Sequence, residues 1–241
     1  MLLLDLMDMT GKVRVEDGAP HALPDEDTPV PSPGAQLIVD EAMSDDERTL
    51  HLVFIGPLTD LASALLMEPR IVERPVQTVW LGGGVWPSGG WEFNLSNDVH
   101  AANVVFKSRL KFTQVPISAY KDVCVSYAEL LEKVYPQGKI GRYLVEQLLA
   151  RDAADRAPER SWEFHVLFDS AAVGVVLNPL AGEWGWQPAP LISPQMQYLE
   201  TGANRPIRVY TRLDGRFILE DFFAKLARFA RNDEDNVSPQ V

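Results

Sequence analysis

The sequence is almost free of cysteine, with one residue, Cys124, in 241. A single thiol excludes an internal disulfide and suits a reducing compartment, so a cytoplasmic location is expected. "KDVCVS" sets Cys124 among apolar neighbours, which reads as a packed rather than a reactive thiol. Long apolar runs are missing too. No stretch approaches the ~20 residues that span a bilayer, so no membrane partner is expected. "MLLLDLMDM" is too short and too acidic for a secretory leader. Basic residues are scarce: 22 Lys and Arg stand against 34 Asp and Glu, a net charge of −12. Such a surface repels a phosphate backbone and argues against nucleic acid as a partner. The histidines, at 21, 51, 100 and 165, have no zinc-site spacing. No Gly-x-Ser-x-Gly elbow marks a serine hydrolase. The glycines of "GGGVWPSGG" fit neither a dinucleotide nor a P-loop spacing.

What is present alternates. "LHLVFI" (Leu50 to Ile55) and "VQTVWL" (Val76 to Leu81) read as buried strands, and "LKFTQVPI" as a third. The helix "LASALLMEP" follows the first, after the turn "GPLTD". A second helix follows Asp98, a natural N-cap in front of "VHAANVVF". Further helices are expected at "SYAELLEKV", "KIGRYLVEQLLARDAADR", "DSAAVGVVL" and "EDFFAKLARFARN". "PIRVYTRLDGRFIL" reads as two short strands around a turn at Asp214-Gly215. "LLLDLMDMTGK" reads as the last turns of a helix closed by Gly11. The expected fold is α/β, one domain over residues 1–231 with a mainly parallel sheet flanked by helices. Residues 232–241, with the acids of "NDEDNVSPQV", are expected to be a frayed tail. In such folds ligands sit at the carboxyl ends of the strands, where both "GPLTD" and the glycine loop fall.

Three groups of residues there admit a chemical and a structural reading. In "WEFN", Glu92 and Asn94 alternate with Trp91 and Phe93, so an extended segment would turn both polar groups to one side. A carboxylate and an amide together suit a polyol, because a hydroxyl both donates and accepts. The same residues suit a helix-capping loop equally well. Asp169, opening "DSAAVGVVL", is a helix cap or a metal ligand. His165, four residues earlier, is a structural partner or a proton donor.

Taken together, "GAPHAL", "GPLTDLASALL-EP", "LGGGVWPSGGWEFNLSNDVHAANVVF" and "FDSAAVGVVLNP" resemble the nucleoside hydrolase family, inosine-uridine preferring type, in matching order. The resemblance runs from about Gly18 to the last helix. It implies a parallel-sheet α/β domain that cleaves the bond between base and ribose. It also implies a calcium ion (Ca2+) at the strand ends that holds the ribose hydroxyls and the attacking water. Carried over, Glu92 and Asn94 grip the ribose hydroxyls, with Trp91 beside them on the substrate. Asp169 becomes the late calcium ligand and Ile55 offers its backbone carbonyl. A nucleoside or ribose is the implied small-molecule partner, and a homo-oligomer the implied assembly.

The sequence also departs from that pattern. The family's opening cluster, Asp-x-Asp-x-x-x-Asp-Asp, supplies its general base and most calcium carboxylates, and nothing here matches it. "LPDEDTP" has the acids but lies in a proline-bounded loop. The expectation is a chain that resumes after a first strand–helix–strand unit, with sparse calcium ligands and an apolar sheet edge open to pairing. Phe168 stands where some members carry a catalytic histidine; His165, Trp86 and Trp91 are the candidates for the acid, with none of them assigned and His165 the proton donor by residue type. Two readings stay open: a calcium-dependent hydrolase, and a silent nucleoside- or ribose-binding or assembly relative. Base preference is not legible.

Overall fold

The computed structural model describes residues 2–154 and 163–231. Among these the strands are β1 (Leu50–Phe54), β2 (Val76–Leu81), β3 (Lys111–Val115), β4 (Cys124–Ser126), β5 (Phe164–Val166), β6 (Gly182–Pro188), β7 (Leu191–Ile192), β8 (Tyr198–Leu199) and β9 (Pro206–Leu213). The helices are α1 (Leu2–Leu6), α2 (Pro33–Met43), α3 (Thr59–Met67), α4 (Phe93–Asn97), α5 (Val99–Lys107), α6 (Ile117–Tyr120), α7 (Tyr127–Glu129), α8 (Gly138–Ala154), α9 (Ser170–Leu177) and α10 (Gly215–Ala230). The chain divides into two compact units. One comprises Val15–Asp122 with Phe168–Asp214; the other comprises Met1–Arg14, Val123–Leu167 and Gly215–Val241.

The first unit carries the main sheet, in the order β1-β2-β3-β9-β6. Four strands run parallel and β6 closes one edge antiparallel to β9. The expected mainly parallel α/β architecture is what the chain adopts. The register sets Phe54 beside Trp80, Trp80 beside Gln114, and Gln114 beside Val209. The carboxyl ends of β1, β2 and β3 therefore lie level, so the loops that follow them share one end of the sheet.

Helices α2, α3 and α5 bury one face of this sheet. Leu61, Ala64, Ala101, Val105 and Phe106 meet Val76, Trp80 and Phe112 in one apolar cluster. Trp80 meets Phe106 edge-on, with centroids 6.0 Å apart, and Phe106 meets Phe112 at 5.4 Å. Such ring pairs each contribute about 0.5–1.5 kcal/mol beyond their buried area. Strand alternation sends Val79 and Leu81 to the opposite face. Helix α9 packs on β1 and β2. Arg205 closes the far end of α5, donating to the carbonyls of Phe106 at 2.7 Å and Leu110 at 2.6 Å. Burial lowers its pKa to about 10, so those carbonyls and the helix C-terminus hold the charge. At the sheet edge formed by β1 among the described residues, Val53 and, just beyond the strand, Ile55 are exposed.

The second unit joins α1, α7, α8 and α10 to a two-stranded antiparallel pair, β4-β5. Ser126 opens α7 with a capping box to Glu129. Glu129 also takes Arg216 at 2.8 Å, and Lys133 reaches Glu220 at 2.7 Å on α10.

Three expectations are corrected here. The turn at Asp214-Gly215 ends one strand and starts one helix. Ile218, Leu219, Phe223 and Leu226 are buried together along α10, so "RFIL" follows the helical period rather than a second strand. Helix α1 closes at Asp8, not at Gly11. Met9 N–H reaches the Leu4 carbonyl and Asp8 N–H that of Asp5, with Asp8 at φ +53°, which is a Schellman closure. Cys124 is exposed rather than packed, because β4 alternates and the buried positions fall to Val123 and Val125. The last residues of "KIGRYLVEQLLARDAADR" and the tail 232–241 lie outside the described residues. No described helix is long and apolar enough to cross a membrane.

Candidate functional site

The loop after β2 begins with a constraint on its second residue. Gly83 has φ +92°, and a Cβ there would overlap the Gln114 amide and the Tyr198 hydroxyl. Only glycine fits such a position. Gln114, fully buried on β3, donates to the Gly82 carbonyl and the Tyr198 hydroxyl, both at 2.9 Å, and accepts from Trp86 Nε1 at 3.0 Å. The Trp86 ring lies 5.0 Å from that of Tyr198. The glycine-rich stretch is thus a fixed loop, pinned through one buried amide.

Its end is "WEFN", and here the structure departs from an extended segment. Glu92 alone is extended, at φ −147°, and it is the N-cap of α4, which starts at Phe93. The alternation survives with its sense inverted. Glu92 is 1% exposed and Asn94 is buried, while Trp91 and Phe93 are 64% and 66% exposed. Glu92 Oε2 accepts from the N–H groups of Gly83 at 2.8 Å and Leu95 at 3.0 Å. Its Oε1 accepts from Asn94 N–H at 3.1 Å and the Tyr120 hydroxyl at 3.0 Å. Asn94 donates its side-chain amide to the Leu81 carbonyl at 2.8 Å, tying α4 to the end of β2. Nothing in the sequence pointed to Tyr120, because its partner lies 28 residues away in a different loop.

The other shared motifs interlock nearby. Asp98 caps α5 through Ala101 N–H at 2.8 Å, as expected. Its second oxygen accepts from Leu23 N–H at 2.9 Å and the Thr59 hydroxyl at 2.7 Å. Asp60 accepts from Ala19 N–H at 2.9 Å and the Ser32 hydroxyl at 2.5 Å. "GAPHAL" is therefore held by one aspartate of "GPLTD" and one of "NDVHAA".

Asp169 caps no amide of α9 and is exposed as a residue, yet burial still raises its carboxyl pKa. Phe168 before it meets Tyr120 edge-on at 5.4 Å. Burial, then the charge of Glu92 with its hydrogen bond, then the charge of Asp169 raise the Tyr120 pKa. Both carboxylates thus lie within electrostatic reach of one hydroxyl. Ile55 directly follows β1 and precedes the "GPLTD" turn, where Trp80 Nε1 reaches the carbonyl of the next residue, Gly56, at 2.9 Å. His165 sits on β5 opposite Val125, in the other unit.

A calcium ion takes six to eight oxygens. The expected set here is the Asp169 carboxylate and the Ile55 carbonyl, and the Glu92 carboxylate is filled by four protein donors. Among the described residues no group of three or more His, Cys, Asp or Glu is gathered for a metal. The donor set does not fit the ion.

A family model described as inosine-uridine preferring nucleoside hydrolase matches residues 6–233. An inosine-uridine preferring nucleoside hydrolase of Leishmania major is 41% identical over 83 residues, 33% of this chain and 26% of that protein. The protein of the same description from Crithidia fasciculata is 40% identical over 82 residues, again 33% and 26%. These alignments span about a quarter of each relative's length. A purine-preferring ribonucleoside hydrolase from Gardnerella vaginalis has the same fold, with a TM-score of 0.76 at 20% identity, covering 95% of this chain and 84% of that one.

Proposed function

Because the chain belongs to the inosine-uridine preferring nucleoside hydrolase family, we propose that it hydrolyses the N-glycosidic bond of ribonucleosides. The observation that carries the reading is the family match across 6–233, with its motifs interlocked at one end of a parallel sheet. Water adds through oxygen to C1′ of the ribose while the C1′–N bond breaks and its electron pair passes to the base. One water proton ends on that nitrogen, giving free base and ribose. The transition state is oxocarbenium-like, as in other glycoside cleavage. Of the two strand-end carboxylates, Asp169 is our candidate to take that proton from the water and pass it on toward the base nitrogen. It is exposed and caps no amide, and a raised pKa makes it a better base. The aromatic faces of Trp91 and Phe93 offer apolar surface to a substrate. In related chemistry calcium lowers the pKa of the water; the donors among the described residues do not form its site. A homo-oligomer belongs to the same reading.

The filled Glu92 carboxylate favours a second reading, a relative that binds a nucleoside or ribose without turning it over. Ribose release from a panel of purine and pyrimidine nucleosides, with calcium and with chelator, separates the two. Release of ribose supports the hydrolase. Heat of nucleoside binding without release, from folded protein, supports the silent relative and overturns the first reading.

A further inference from the structure

A carboxylate has two oxygens and about four acceptor positions. At Glu92 all four are taken, two donors to each oxygen. A ribose hydroxyl or a cation must displace one of them. Three are backbone amides, fixed by the loop after β2 and by the first turn of α4. Only the Tyr120 hydroxyl can withdraw by a side-chain motion. Tyr120 is itself buried at the end of α6, directly after β3, with Phe168 against its ring.

We propose that Tyr120 is the positioning residue of the strand-end site. Its hydroxyl holds Glu92 and closes that carboxylate to calcium, so the site is organised by a neutral donor and three amides instead of a metal ion. The packing agrees with this: Phe168, which meets the Tyr120 ring at 5.4 Å, directly precedes Asp169, so a second carboxylate follows in the same loop. The inference concerns what holds the site together and stands apart from whether the chain turns nucleosides over.

Terbium, a luminescent stand-in for calcium, provides the test on the full chain. Titration of wild type, Tyr120→Phe and Tyr120→Phe/Asp169→Asn follows sensitised emission, with calcium as competitor. Removing the hydroxyl opens one acceptor position beside a second carboxylate. Tyr120→Phe should therefore bind terbium about tenfold or more tightly than wild type, the equivalent of one hydrogen bond to a charged acceptor. The double variant should lose that gain. Equal binding by wild type and Tyr120→Phe overturns the proposal, as does a gain that survives Asp169→Asn. A variant that merely loosened the fold would lower the melting temperature without adding metal affinity.

Melting of wild type with calcium and with chelator keeps the proposal testable even where Tyr120→Phe does not fold. The expected result is no shift. Calcium at about a hundred times its Kd would raise the midpoint of a domain this size by roughly 5–10 °C. A rise of that kind, abolished by Glu92→Gln, would show Glu92 open to metal with Tyr120 in place and would overturn the inference.

Discussion

Two acids open helices at the same end of the sheet and do opposite work. Glu92, before α4, is buried and accepts four hydrogen bonds. Asp169, before α9, is exposed and accepts none from its helix. The family resemblance gives both a place in one substrate and metal site. Their surroundings separate them: Glu92 is committed to the fold, and Asp169 is exposed and caps no helix amide. The difference lies in the donors each loop supplies, not in the carboxylate.

Asp98 tests how far a committed acid can be disturbed, and the largest effect is expected there. It is buried, and its two oxygens join α5, Leu23 and Thr59. Asp98→Ala removes a cap, which costs about 1 kcal/mol, and strands a buried amide and a hydroxyl, each costing about 1–3 kcal/mol. Unfolding in urea should show a loss of about 3–7 kcal/mol. Asp98→Asn should recover part of it by keeping the acceptor. A loss below the cap contribution alone would mean that "GAPHAL" is not held through this residue.

Asp169→Asn is the converse. No helix amide is capped and the side chain is exposed, so stability should change by no more than about 0.5 kcal/mol. Ribose release, by contrast, should fall to background if Asp169 takes the water's proton. A variant that unfolds like Asp98→Ala would place Asp169 with the committed acids. Full release by a stable variant would remove it from the chemistry.

The sequence disclosed the part of this contrast that local pattern carries. Strands β1 and β2 stand out because "LHLVFI" and "VQTVWL" are short, β-branched and bounded by turns. Helix α5 stands out because Asp98 precedes apolar residues at helical spacing. Glu92 did not, for two physical reasons. Helix α4 has five residues, too few for a 3.6-residue period to show against the two-residue alternation of "WEFN". Its remaining donors, Gly83 and Tyr120, lie 9 and 28 residues away, so only the packed loops bring them together. Alternation did predict that Glu92 and Asn94 share a side, but could not say which side faced the protein. The exposure of Cys124 and the start of α10 were hidden likewise, since burial depends on the second layer.

The smallest effect is expected at Glu68, which performs the duty of Glu92 at a half-buried site with an exposed partner. It caps the short helical turn at 69–73 through Arg70 N–H at 3.1 Å and pairs with the Arg70 guanidinium at 2.6 Å. The side-chain hydrogen bond from Arg70, then that from its backbone amide, lowers the Glu68 pKa to about 2. A carboxyl pKa below its unfolded value stabilises the fold above that unfolded value, near 4.5. The contribution disappears as pH falls through about 2. Arg70 is exposed and Glu68 half-buried, so solvent screens much of the pair, and Glu68→Gln should lower the neutral-pH midpoint only slightly and less in high salt. The gap between variant and wild type should narrow below pH ~4.5 and close near pH ~2. A gap that persists in acid would mean that the amide nitrogen, which cannot accept from Arg70, strains the turn whatever the charge. The comparison with Glu92 would then rest on acceptor geometry at both positions, with charge adding little even at the surface.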